Sequence, residues 1–223
     1  MPRSSRRGAS SRRLPLTRER IADAAIAVIE RDGLEEFSTR KLGAELGCEA
    51  MSIYHHFPSK GDLLDAIASR LLGKVDLSSA TEEGVVPELR LERVIRSYRD
   101  VARTHPRSFP LLALRRLNSP EAMRFLEAFF KILREAGFDA ERGTDVFRLL
   151  GHWATGAALS ELAARAQVPH ATRTVPASEV DPDRYPLTRE ATPYLLASHF
   201  DATFEFGLRS VLDAVRRARG KAG

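Results

Sequence analysis

A chain of 223 residues, 43% hydrophobic and 29% charged, can bury one good core or a small head on a larger body, which excludes a disordered polyelectrolyte. No apolar run reaches the roughly 18 residues that span a bilayer, and a single cysteine, Cys48, allows neither an internal disulfide nor, by itself, a metal cluster, so a cytoplasmic protein without membrane partner, cofactor or metal is expected. The net charge of +5 is concentrated: residues 1 to 20 carry seven arginines against Glu19, and the remainder is close to neutral. Residues 1-14, rich in Arg and Ser, cannot fold alone and are expected to form a disordered basic arm. No apolar segment follows the arm, so secretion is not expected. Such an arm suits DNA phosphates or the minor groove; the alternative is a solvated tail, and the two differ in salt dependence.

In chain order, Thr17 caps a first helix whose stripe is Ile21, Ala25, Val28 and Ile29 and which Gly33 ends. Ser38 is the N-cap of a short second helix, with Phe37 and Leu42 as its hydrophobic staple, Leu42 and Leu46 facing inward, and Gly47 as the left-handed stop. Cys48 plugs the corner. A third helix turns Ile53 and Phe57 inward and Ala50, Met51, Ser52, Tyr54 and His55 outward, until Pro58 ends it. These three helices make a head, residues 15-60, too small to be robust alone. Ser59-Lys60-Gly61-Asp62 is a capping box that launches the helix carrying Leu64, Ile67, Ala68, Leu71 and Val75 from the head into the body, residues 61-223.

After a polar connection from Asp76 to Pro87, the spacing predicts an amphipathic helix from about Glu88 to Thr104 with Leu91, Val94, Ile95, Tyr98, Val101 and Ala102 on one side. Pro106 suits the first position of a short helix reaching about Leu117, interrupted or kinked by Pro110. Ser119-Pro120 starts a helix that Gly137 ends, and Asp139 opens another to about Ala166 whose middle, from Val146 to Leu159, is apolar nearly all round. The proline-rich stretch from Val168 to Pro193 reads as a lid, an arm or disorder, with one short helix near Ala191 to Leu196. A last helix, about Ser198 to Arg219, bears Phe200, Phe204, Gly207, Leu208, Val211 and Val215 on one stripe. No strand pattern appears, so the fold class is all-α, with nine or ten helices.

Two short helices joined by a Gly-containing turn, the second with small and polar side chains outward, form the helix-turn-helix plan for the DNA major groove. Gly33 and Phe37, Thr39-Arg40-Lys41-Leu42, Leu46-Gly47, Ile53-Tyr54-His55-His56-Phe57, Lys60 and Leu63-Leu64 together closely resemble the DNA-binding domain of the TetR family of bacterial transcription regulators. The likeness spans roughly residues 17 to 75. Gly137-Phe138, Gly151-His152-Trp153 with Gly156, and Phe206-Gly207-Leu208 add a weaker resemblance to the C-terminal domain of the tetracycline-repressor subgroup.

The resemblance implies a DNA-binding site of Thr39, Arg40, Ala50, Met51, Ser52, Tyr54, His55, His56 and Lys60. Helix-start amides, Tyr54, His56 and Lys60 would grip phosphates, while Ala50, Met51, Ser52 and His55 would face bases and Arg40 could reach a guanine. Tyr54 and His56 could instead cap the head's own core. Ala50 and Met51 stand where the subgroup has larger polar residues, which implies a different operator, read in part through thymine methyls. It also implies a homodimer through the helices near 139-166 and 198-219, and a pocket for a small hydrophobic effector involving His105, Phe125, Leu126, Phe129, Phe147 and Trp153. A plain core without a cavity is the alternative. The subgroup's metal-binding histidine is replaced by Lys74, Val75 and Asp76, so a metal-tetracycline ligand is not expected. His105, His152, His170 and His199 have no HExxH or HxxxH spacing and no G-x-S-x-G occurs, so an enzyme is not expected. The expected function is a ligand-responsive regulator, most simply a repressor of a palindromic double-stranded DNA operator; an architectural DNA binder would differ by lacking preference for one site.

Overall fold

The computed structural model describes residues 15–115, 118–166, 179–194 and 199–219, and among them the chain is helix and turn without a strand. The basic arm at 1-14, the end expected for the short helix at Leu117, and the first part of the proline-rich stretch, 168 to 178, lie outside the described residues. Ten α-helices follow in order: α1 (Arg18–Asp32), α2 (Thr39–Leu46), α3 (Ala50–Tyr54), α4 (Lys60–Leu72), α5 (Pro87–Thr104), α6 (Pro110–Leu114), α7 (Pro120–Glu135), α8 (Ala140–Arg165), α9 (Pro186–Ala191) and α10 (Phe200–Arg219). None is long and apolar enough to cross a membrane.

Side-chain caps set most of the starts. Thr17, Ser38, Ser59, Ser119 and Asp139 each accept a hydrogen bond from a backbone N–H in the first turn that follows, satisfying a donor that has no partner within its helix. Gly47 closes α2 at φ 65°, the left-handed conformation its lack of a Cβ permits. Two starts differ from the sequence expectation. Pro110 rather than Pro106 opens α6, because residues 106 to 109 form turns and Phe109 N–H bonds His105 O at 2.9 Å. The short helix expected near 191 to 196 lies earlier, at α9, where Pro186 supplies a first position needing no N–H, and a 3-10 turn, Thr192–Tyr194, follows.

One apolar core runs from Ile21 in α1 to Val215 in α10. α4 packs on α1 and also on α5, α6 and α7, so the head has no core wholly its own. Two sets of polar links bind head to body beside it. Arg70 on α4 grips Asp23 on α1 with two 2.7 Å bonds, and that guanidinium holds the Asp23 carboxyl below its usual range. Glu30 accepts from the backbone N–H groups of Arg107 and Ser108 at 3.2 and 2.9 Å and from the Ser108 hydroxyl. Within the body, Arg115 after α6 reaches Asp65 on α4 at 3.1 Å.

Candidate nucleic-acid interface and effector cavity

The corner between α2 and α3 depends on a missing side chain. A Cβ on Gly43 would stand 2.7 Å from the Cys48 carbonyl oxygen, so only glycine lets the turn close against α2. Cys48 N–H in return bonds Gly43 O at 2.9 Å. The closed corner orients α3, whose Ile53 is buried and whose helical path continues far enough for Phe57 N–H to bond Ile53 O at 3.0 Å. The α-helix itself stops at Tyr54, earlier than the Pro58 limit expected, and His55 and His56 form a turn.

Outward from this frame, Met51 is 65% and Tyr54 37% exposed; Arg40, His55 and Lys60 are also exposed, and Thr39, Ala50, Ser52 and His56 are half-buried. Three of the phosphate candidates converge although they come from different helices. The Thr39 and Tyr54 hydroxyls lie 3.5 Å apart, and Lys60 Nζ donates to Phe37 O at 3.2 Å, two residues before Thr39. An ammonium has three donors, so that bond leaves two for solvent or phosphate. On the opposite flank Arg18 donates to the His56 carbonyl and stacks 4.1 Å from the Phe57 ring centroid, fixing the end of the α3 turn to α1.

The body holds a cavity of about 350 Å³ among α4, α5, α6, α7 and α8. Phe125 and Phe129 of α7 and Phe147 of α8 line it, with ring centroids 5.9 and 5.3 Å apart along the series. Leu72, Leu112 and Ala113 bring in α4 and α6, and Tyr98 of α5 and Thr155 of α8 are hydroxyl-bonded at 3.1 Å on the wall. Burial pushes the Tyr98 phenol up, partly offset by that hydrogen bond. Gly151 and His152 complete the wall on α8.

Three residues expected in the pocket stand elsewhere. Trp153 points the other way from its helix neighbour His152, into the α8–α10 seam, where its ring packs 5.3 Å from Phe204 and a Cβ on Gly207 would come within 2.7 Å of it. Gly207 therefore serves a contact within one chain rather than one across a dimer. His105 caps α5 on the side of Lys74, Glu30 and Asp23, and burial followed by Lys74 lowers its pKa. Leu126 is half-buried outside the lining. Tyr98 and Thr155 were not singled out for this role, although a phenol in the aliphatic stripe of α5 signals a polar partner.

A second interior feature had no sequence signal. Glu161 on α8, 3% exposed, accepts from Arg99 and Arg103 of α5 and from Arg165, and Arg99 stacks 3.9 Å from the Phe204 ring centroid. Burial alone would raise the Glu161 pKa, but the bonds from Arg103 and Arg99 outweigh it and hold the carboxyl below its usual range. No group of His, Cys, Asp and Glu among the described residues is arranged to hold a metal ion.

A glycine-closed corner presenting a polar helix face, joined through a shared helix to a body with a ligand-sized cavity, is the architecture of a helix-turn-helix regulator of transcription. The chain belongs to the tetR family of bacterial regulatory proteins: residues 21–67 match that family's DNA-binding domain and residues 87–218 match the tetracyclin repressor-like C-terminal domain. It is 28% identical over 206 residues to the tetracycline repressor protein class A from transposon 1721 of Escherichia coli, covering 89% of this chain and 90% of that protein. A possible TetR family transcriptional regulator from Streptomyces coelicolor A3(2) superposes with a TM-score of 0.79 at 27% identity, over 91% of this chain and 100% of that one. ActR from Streptomyces coelicolor in complex with actinorhodin shares the fold, with a TM-score of 0.79 at 24% identity over 94% and 99% of the two chains.

Proposed function

We propose that the protein binds a palindromic operator as a homodimer, reads it with Met51, Ser52 and His55, holds phosphates with Thr39, Tyr54, His56 and Lys60, and is released when a small hydrophobic molecule fills the body cavity. The observation that carries this reading is the position of α4: Lys60 at its start is exposed and bonds Phe37 O beside the start of α2, and Leu72 at its end lines the cavity. A ligand that prefers a different α4 tilt shifts the spacing of the paired heads and weakens operator binding by its differential affinity. Relatives named for tetracycline, and ActR seen with actinorhodin, support a small-molecule effector.

The homodimer is inferred from an unpartnered surface. Leu149, His152, Gly156 and Ser160 form an exposed stripe on α8, and Ala202, Phe206, Arg209 and Ser210 form another on α10, with Phe206 68% exposed. A Cβ on Gly156 would meet nothing within 4 Å in the single chain, which leaves room for a second copy's helices. Selection from fragmented genomic DNA tests the whole reading: one palindrome should be preferred over random DNA by about a thousandfold or more at fixed salt. Equal affinity for all sequences would instead mark an architectural binder.

A further inference from the structure

The cavity wall is chemically lopsided. Phe125, Phe129 and Phe147 supply ring surface, no Asp, Glu, Lys or Arg lines it among the described residues, and the hydrogen-bonding groups within it are the Tyr98 and Thr155 hydroxyls. His152, the remaining polar member, is exposed in the single chain and lies on the outward stripe of α8 that the proposed second copy would cover. A charged ligand would surrender its hydration without gaining a counter-charge, which is costly in an apolar site. An aromatic ligand gains offset and edge contacts with the phenylalanine rings beyond simple area burial.

The hydroxyl pair adds direction. At 3.1 Å one hydroxyl donates to the other, and the acceptor's own O–H, together with the unused lone pairs, remains for a third group. Tyr98 is held in place from behind by an edge-to-face contact with Phe109, centroids 5.2 Å apart, so the phenol is positioned before any ligand arrives.

We propose that this cavity takes an uncharged aromatic molecule bearing a hydroxyl or carbonyl edge, and that the Tyr98–Thr155 hydroxyl pair determines specificity by bonding that edge. The proposal rests on the reading of the cavity as the effector site, but its test measures binding without DNA, so the two fail separately. Calorimetric titration of the full chain compares 2-naphthol, naphthalene, naphthalene-2-sulfonate and n-octanol. 2-Naphthol should bind tightest, with naphthalene weaker by about fivefold to tenfold for the lost hydrogen bond, octanol weaker by several-fold for the lost ring contacts, and the sulfonate weakest. Tyr98→Phe should bring 2-naphthol down to the affinity of naphthalene and leave naphthalene unchanged; Thr155→Val, close in shape, should do the same. Sulfonate or octanol binding as tightly as 2-naphthol, no binding of either uncharged aromatic, or an undiminished preference for naphthol in both variants would overturn the proposal.

Discussion

Gly43 carries the shape of the DNA-binding corner by having nothing to offer. Its virtual Cβ meets a backbone carbonyl, which cannot swing aside as a side chain could. Gly43→Ala should therefore force α2 and the turn apart, costing about 1–3 kcal/mol in urea unfolding and abolishing operator binding, while sedimentation still finds the body assembled. Unchanged stability would mean that the turn relaxes freely. Lys60 belongs to the same scale with the opposite logic, since it is exposed and its charge is the whole of its proposed role. Lys60→Ala should weaken binding to every DNA sequence alike and lower the slope of log K against log salt by about one, as filter binding across a salt series would read; an unchanged slope rejects the phosphate contact.

At the scale of elements, what the sequence makes legible is local. The caps at Ser38, Ser59, Ser119 and Asp139 act through side chains a few residues from the amides they bond, so helix starts could be read directly. The corner and its outward residues follow from the same short-range rules. Which way a mostly apolar helix such as α8 is rotated is settled by its neighbours, so Trp153 was expected in the cavity and lies in the α10 seam, while His152 took the cavity side. Arg90 and Arg99, both buried on α5, were illegible for a related reason: an arginine beside an apolar stripe reads as solvent-facing until its partner arrives from far along the chain, Glu135 for Arg90 and Glu161 for Arg99. That partner matters. Glu161→Gln leaves the Arg99 charge with only the exposed Asp201, 3.0 Å away, and should destabilise the fold by about 3 kcal/mol with an unchanged denaturant slope. The folded Glu161 pKa lies below its ordinary value of about 4.3, so its contribution is complete above that value and is lost as pH falls through the folded one. Asp23 shifts in the same direction through Arg70 and adds to the acid loss. Unfolding measured from pH 6 down to pH 3 should accordingly show a shallower decline in Glu161→Gln than in the parent chain.

For the whole molecule, the proposed homodimer would have to hold two heads at one spacing, and the exposed stripes of α8 and α10 are the surfaces proposed to do so. Phe206 is 68% exposed on a helix whose other aromatics, Phe200 and Phe204, are partly or wholly buried, so it is the apolar side chain of the α10 stripe that a second copy would cover. The same stripe of α8 contains His152 at the cavity rim, so a partner seated there would also cover the cavity's mouth. Phe206→Glu removes no contact within the single chain's core and should leave the fold intact by circular dichroism. Across a two-fold axis it would replace the largest apolar side chain of the α10 stripe with a carboxylate from each copy, and desolvating those charges costs several kcal/mol even with Arg209 one turn away. The expected outcome is a folded monomer at micromolar concentration in sedimentation velocity, whose affinity for a full palindrome falls to that for a half-site, because each head then binds without the other. A Phe206→Glu protein that remains dimeric would move the interface off this face and remove the basis for a fixed head spacing.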